Sequence, residues 1–95
     1  MRSIKLGNVM IDGEVEGKGW RMALELKTPR DDVTRGLGQL AEALAYGYNQ
    51  AAMVTTMQTA KKINPAAFDK HGFILLGVDS KGHVQQVYPT YATRT

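Results

Sequence analysis

Cysteine is absent from the 95 residues, which removes disulfide frameworks and thiolate metal sites together. No apolar run approaches the ~18 residues that a membrane helix needs, and the N-terminus has no signal-peptide apolar core. These absences lead us to expect a soluble, intracellular and cytoplasmic protein with no membrane partner. Internal repeats and low-complexity segments are also missing. The two histidines, His71 and His83, each sit next to a glycine at a turn signal and do not have the spacing of a metal-binding pair. A strong charge of either sign is lacking too. Twelve basic against nine acidic side chains leave +3, which permits contact with phosphate without demanding it. The length fits one small domain over residues 1–95, with 89–95 read as a polar C-terminal tail. So small a core would be helped by a dimer interface.

What is present centres on Trp20–Lys27. Met22, Leu24 and Leu26 alternate with Arg21, Ala23, Glu25 and Lys27, the pattern of a strand with one buried face. Glu25 and Lys27 therefore point the same way, about 7 Å apart along the backbone. Before them, Ile4 and Leu6 alternate with polar neighbours up to a turn signal at Gly7-Asn8. Val9–Glu16 alternates through to Gly17-Lys18-Gly19, read as a three-residue hairpin connection. The two strands would be antiparallel neighbours, with Asp12, Glu14 and Glu16 on one polar face. Solvated edge strands tolerate such acids.

Thr28-Pro29-Arg30-Asp31-Asp32 opens a helix, with Thr28 or an aspartate as cap, running from about Pro29 or Asp31 to Tyr46 and ended by Gly47. Val33, Leu37, Leu40, Leu44 and Tyr48 recur on one helical face. Gly36 and Gly38 inside it each cost about 1 kcal/mol relative to alanine, and such glycines usually mark close approach to a backbone or ligand. Ala51–Thr56 reads as a buried strand, parallel to Trp20–Lys27 after a right-handed crossover. Met57–Ile63 is a connection open to helix. A short helix follows from Pro65 to about Lys70, with Asn64 as its cap, and Phe73–Val78 and His83–Tyr88 form a terminal hairpin. The fold class is α/β (α+β), with a mixed central sheet.

Asp12, Glu25 and Lys27 come from two adjacent strands and supply a recognisable chemistry. Two or three carboxylates suffice for Mg²⁺ or Mn²⁺, which keeps several waters. A bound metal polarises a phosphate and lowers the pKa of an attacking water, while a lysine orients the water and offsets developing charge. Glu14 is the alternative carboxylate partner if the hairpin register is tighter. The plain alternative is a Glu25–Lys27 ion pair on a wet sheet face.

Asp12, followed by Glu25-Leu26-Lys27, resembles the motif of the PD-(D/E)XK, restriction-endonuclease-like nuclease superfamily. Arg35-Gly36-Leu37-Gly38-Gln39-Leu40 is similar to the glutamine-bearing helix of its RecB-like branch, and Met53–Thr56 sits where the next parallel core strand belongs. The order of these elements carries the specificity, because a lone Glu-x-Lys is common. The resemblance covers roughly Val9 to Val84. It implies a restriction-endonuclease-like core in which Asp12, Glu25 and the Leu26 backbone carbonyl hold Mg²⁺ or Mn²⁺. Lys27 would be catalytic and Gln39 would support the site.

This chain departs from the family pattern in three places. Ile11 stands where proline is usual, Ala43 stands where a tyrosine follows the glutamine, and no N-terminal helix fits before Val9. The last leaves one sheet face thinly covered and points to a homodimer, a higher oligomer or a partner subunit. The expectation is a metal-dependent deoxyribonuclease, with Arg35, Lys61 and Lys62 as contacts to the DNA backbone. A non-catalytic nucleic-acid-binding or assembly subunit that keeps the fold is the alternative.

Overall fold

The structure is a computed structural model describing residues 3–7 and 9–89. Asn8 of the expected turn and nearly all of the polar tail lie outside the described residues. A five-stranded sheet runs in the order β3 (Gly13–Gly17), β4 (Trp20–Leu26), β5 (Gln50–Thr56), β6 (Ile74–Val78) and β7 (Val84–Tyr88). The outer pairs are antiparallel and the inner pairs β4–β5 and β5–β6 are parallel. Helix α1 (Val33–Ala45) makes the expected crossover from β4 to β5. Helices α2 (Met57–Ala60) and α3 (Ala66–His71) connect β5 to β6. A separate hairpin of β1 (Ile4–Leu6) and β2 (Val9–Ile11) precedes the sheet.

Three sequence expectations change. The single strand over Val9–Glu16 is broken at Asp12: β2 pairs with β1, and only β3 joins β4. Ile11 drives the break, because its side chain is fully buried in the core with Leu40 and Ala43 of α1. The hairpin closes on a Gly17–Trp20 pair, so its loop is two residues, Lys18 and Gly19, with Gly19 in the left-handed region at φ 69°. Helix α1 starts later than Pro29, at Val33. Asp32 is its N-cap, accepting from the N–H groups of Thr34 and Arg35. Asp31 instead accepts from the N–H and hydroxyl of Thr28, which ties down the loop between β4 and α1.

The core lies on one side of the sheet. Ala23, Ala51, Met53, Phe73 and Leu75 face Leu40 and Ala43 of α1, Ala60 of α2 and Phe68 of α3. The periodic stripe anticipated on α1 is displaced. Gly36, Leu40 and Ala43 form its buried line, while Val33, Leu37 and Leu44 pack at the margin. Gly36 permits this approach: a Cβ there would lie 2.6 Å from Lys27 Cε and 2.8 Å from Met53 Cε. Gly38 faces open space. Each described helix packs on this side of the sheet.

The opposite face carries Val15, Trp20, Met22, Leu24, Leu26, Ala52, Val54, Ile74, Leu76, Val78 and Val84, in register across all five strands. Gln50, Thr56 and Gln86 are its polar members, and none of its described side chains is charged. Val15 is 42% exposed, Leu26 44% and Val84 58%.

Candidate active site

The register answers which acid meets Glu25. Gly13 pairs with Leu24, so the next step outward sets Asp12 beside Glu25. The Asp12 N–H donates to the Leu24 carbonyl at 3.0 Å, and its Oδ2 accepts from the Leu26 N–H at 2.7 Å. Asp12 is thus clamped at both ends to the strand carrying Glu25. Glu14, the alternative ligand, is taken elsewhere. It stands opposite Ala23 and accepts from the Tyr48 hydroxyl at 2.5 Å. Arg21 lies over the Tyr48 ring at 4.2 Å, completing a structural cluster away from Asp12. The Tyr48 hydroxyl is pushed up to about 12 by burial first and then by Glu14.

Glu25 is the unusual group. It is 3% exposed, and its Oε2 is buried without a hydrogen-bond partner. Its pKa is raised to about 8, chiefly by burial, then by a hydrogen bond with Asp12 and by the Asp12 charge. Lys27 acts the other way, lowering it. Among the described residues the only ion pair within 4.0 Å joins His83 to Asp79. The Glu25–Lys27 ion pair of the plain reading is therefore not formed. Lys27 sits just beyond β4, its N–H bonded to the Val54 carbonyl at 2.8 Å and its side-chain tip against Gly36. A buried carboxyl held beside a half-buried carboxylate and a cation that pairs with neither is an expensive arrangement, and such arrangements gather where chemistry is done.

Gln39, expected to support the site, has its described contact with the first hairpin. It lies on the flank of α1 beside the first hairpin, and its described hydrogen bond runs from Nε2 to the Met10 carbonyl at 3.0 Å. It therefore acts on the backbone two residues before Asp12. Its Oε1 is buried without a partner. Arg35 lines a hollow of about 400 Å³ with Val9, Met10, Gly38 and Gln39. Lys61 and Lys62 line a larger groove of about 610 Å³, beyond the ends of β5 and β6. Neither group touches the carboxylate pair.

Two residues were missed. Thr55 lies on the core side of β5, two register positions beyond the Glu25–Met53 pair and so level with Lys27. Its buried hydroxyl has no hydrogen-bond partner. Asp31 acts electrostatically on both Glu25 and Lys27, and its own carboxyl is held below the usual carboxylate range by the Thr28 N–H and hydroxyl. The signal for Thr55 was a hydroxyl inside an otherwise apolar strand. Asp31 was hidden by its resemblance to a helix cap.

Among the described residues no three His, Asp or Glu side chains cluster as a metal cage. The Asp12–Glu25 pair is a two-carboxylate donor set, which suits a hard cation that keeps most of its waters. The orphaned Glu25 Oε2 is a free oxygen donor within that set. The residues present thus fit Mg²⁺ or Mn²⁺. Comparisons with family models, curated proteins and solved structures give no match. No helix among the described residues is long and apolar enough to cross a membrane.

Proposed function

We propose that the chain is a metal-dependent nuclease with a restriction-endonuclease-like core, hydrolysing phosphodiester bonds of DNA. One observation carries the reading: Asp12 is clamped by two hydrogen bonds to the strand that carries the buried Glu25, and Lys27, which acts on the Glu25 charge, forms no ion pair within 4.0 Å. Asp12 and Glu25 would hold Mg²⁺ or Mn²⁺, with the Leu26 carbonyl as a further ligand. When bound, the metal supplies Lewis-acid polarisation of the phosphate and a more acidic water. Lys27 orients the attacking water and faces the charge that builds on the phosphate oxygens. Gln39 is a positioning residue, fixing Met10 and so the bend that presents Asp12.

The crevice outside the carboxyl ends of parallel strands is the usual ligand position in open sheets. Glu25, at the end of β4, lies next to it. The uncharged sheet face supports self-association within the same reading.

The test is cleavage of single- and double-stranded DNA by purified protein with Mg²⁺, Mn²⁺ or EDTA. Metal-dependent cleavage is expected, falling at least about 100-fold in Glu25→Ala and Lys27→Ala, a loss of about 2.7 kcal/mol in transition-state stabilisation. Equal inertness of wild type and both variants, with DNA still bound, would favour a non-catalytic nucleic-acid-binding subunit.

A further inference from the structure

The groove beyond β5 and β6 has no part in the chemistry described above, yet it shares the sheet edge with it. Its walls are the end of β5 with α2 on one side and the β6–β7 turn on the other, with a volume of about 610 Å³. Thr56, Gln58, Lys61, Lys62 and Ser80 bring hydroxyl, amide and ammonium groups to it. Neither lysine has a carboxylate within 4.0 Å among the described residues. The acid in the wall, Asp79, is occupied within its own turn. Its Oδ1 accepts from the N–H groups of Lys81 and His83 at 2.9 Å, and its Oδ2 lies 3.4 Å from His83 Nδ1. The groove thus offers two cations with no ion-pair partner within 4.0 Å and several neutral hydrogen-bonding groups, against one carboxylate turned to its own loop, a composition suited to a phosphodiester backbone rather than to a cation.

Its position sets what it would do. β4, β5 and β6 are adjacent parallel strands, so their ends step away from Glu25 and Lys27 by about 5 Å and then about 10 Å. At a rise of about 3.4 Å per nucleotide, that is a displacement of about one to three nucleotides along a strand. We propose that this groove is a phosphate-backbone subsite that holds a nucleic-acid strand to one side of the reacting phosphodiester. The subsite rests on the nuclease reading for its role, but its binding chemistry stands on the groove alone. It gives the substrate path a direction, from the Asp12–Glu25 pair toward the β6–β7 turn.

The experiment measures binding of a fluorescein-labelled oligodeoxythymidylate of about a dozen nucleotides by anisotropy in EDTA, over a series of salt concentrations. The double substitution Lys61→Ala/Lys62→Ala removes two charges. Lys18→Glu changes the charge by the same amount in the β3–β4 turn, at the opposite end of the sheet. The lysine pair should weaken binding about tenfold or more and flatten the slope of log K against log salt by about 1.4, or about 0.7 per lost contact. Lys18→Glu should stay within about twofold of wild type, with its slope unchanged. Equal effects of the two variants, or no oligonucleotide binding by wild type, would overturn the subsite. Metal-dependent cleavage assays on the same proteins separate the two readings. Cleavage with no binding loss in the lysine pair removes the subsite and leaves the nuclease. The expected binding pattern without any cleavage leaves the subsite and removes the nuclease.

Discussion

Glu25 makes the folded protein prefer a proton that the unfolded chain does not hold at neutral pH. Its pKa rises from 4.5 to about 8 on folding, so the native state binds the extra proton between those values. Stability from this group is fully present below about pH 4.5 and is lost as pH rises through about 8. At about 1.4 kcal/mol per pH unit, the loss has an upper bound of about 5 kcal/mol. Thermal melts in EDTA should therefore show the protein less stable at pH 8.5 than at pH 6, with Glu25→Gln much flatter across that range. Added Mg²⁺ should raise Tm more at the higher pH, where Glu25 is ionised and ready to coordinate. Thr55 offers a second residue-scale outcome. Its orphaned hydroxyl carries a desolvation cost of about 1–3 kcal/mol, so the isosteric Thr55→Val should unfold at higher denaturant. A fall in cleavage in the same variant would mean that the hydroxyl beside Lys27 serves the reaction.

At the scale of elements, the two glycines of α1 separate stability from placement. Gly38→Ala enters open space and should stabilise by about 1 kcal/mol through helix propensity. Gly36→Ala should change stability by less than that, because its close neighbours are the flexible ends of Lys27 and Met53. Its effect belongs to the site, since the new methyl displaces the Lys27 side chain. Cleavage is expected to fall several-fold while the urea midpoint hardly moves.

The same elements show what could be read before the structure. Alternation identified β4 and its neighbour β3, and the 3.6-residue period with a capping aspartate identified α1. The parallel placement of β5 followed from the handedness of crossovers. The break at Asp12 was not legible. Alternation passes through Ile11, Asp12 and Gly13 without interruption, while the cause is tertiary: Ile11 turns into the core under α1. For the same reason the partner of Gln39 was not legible: it is a backbone carbonyl on a strand whose path could not be foreseen. Glu14 and Asp12 have the same parity in sequence, and the register with Tyr48 sends one of them elsewhere.

For the whole molecule, the dominant asymmetry is between the two sides of the sheet. One is covered by the described helices, and the other is an uncharged surface. Five strands at about 4.8 Å spacing, each contributing about five residues, give it an area on the order of 400 Å², the size of the largest apolar patch on an ordinary monomer, which is often functional. Sedimentation velocity over a concentration series should show self-association. Val15→Lys/Val84→Lys, at two exposed positions on that face, should weaken it by about tenfold or more, about 1.4 kcal/mol. A single slow-sedimenting species at every concentration for both proteins would dismiss the interface.

A sheet face with no charge among the described residues would, through the proposed self-association, also tie what each molecule does to how many molecules there are. Where copies are sparse, the apolar strands meet water, and the thin core is easier to open. If the face self-associates as proposed, the same strands would meet each other where copies are abundant, and the Asp12–Glu25 pair would be held on a firmer support. Abundance would then be a setting of the protein, and dilution alone would lower the output of every remaining molecule.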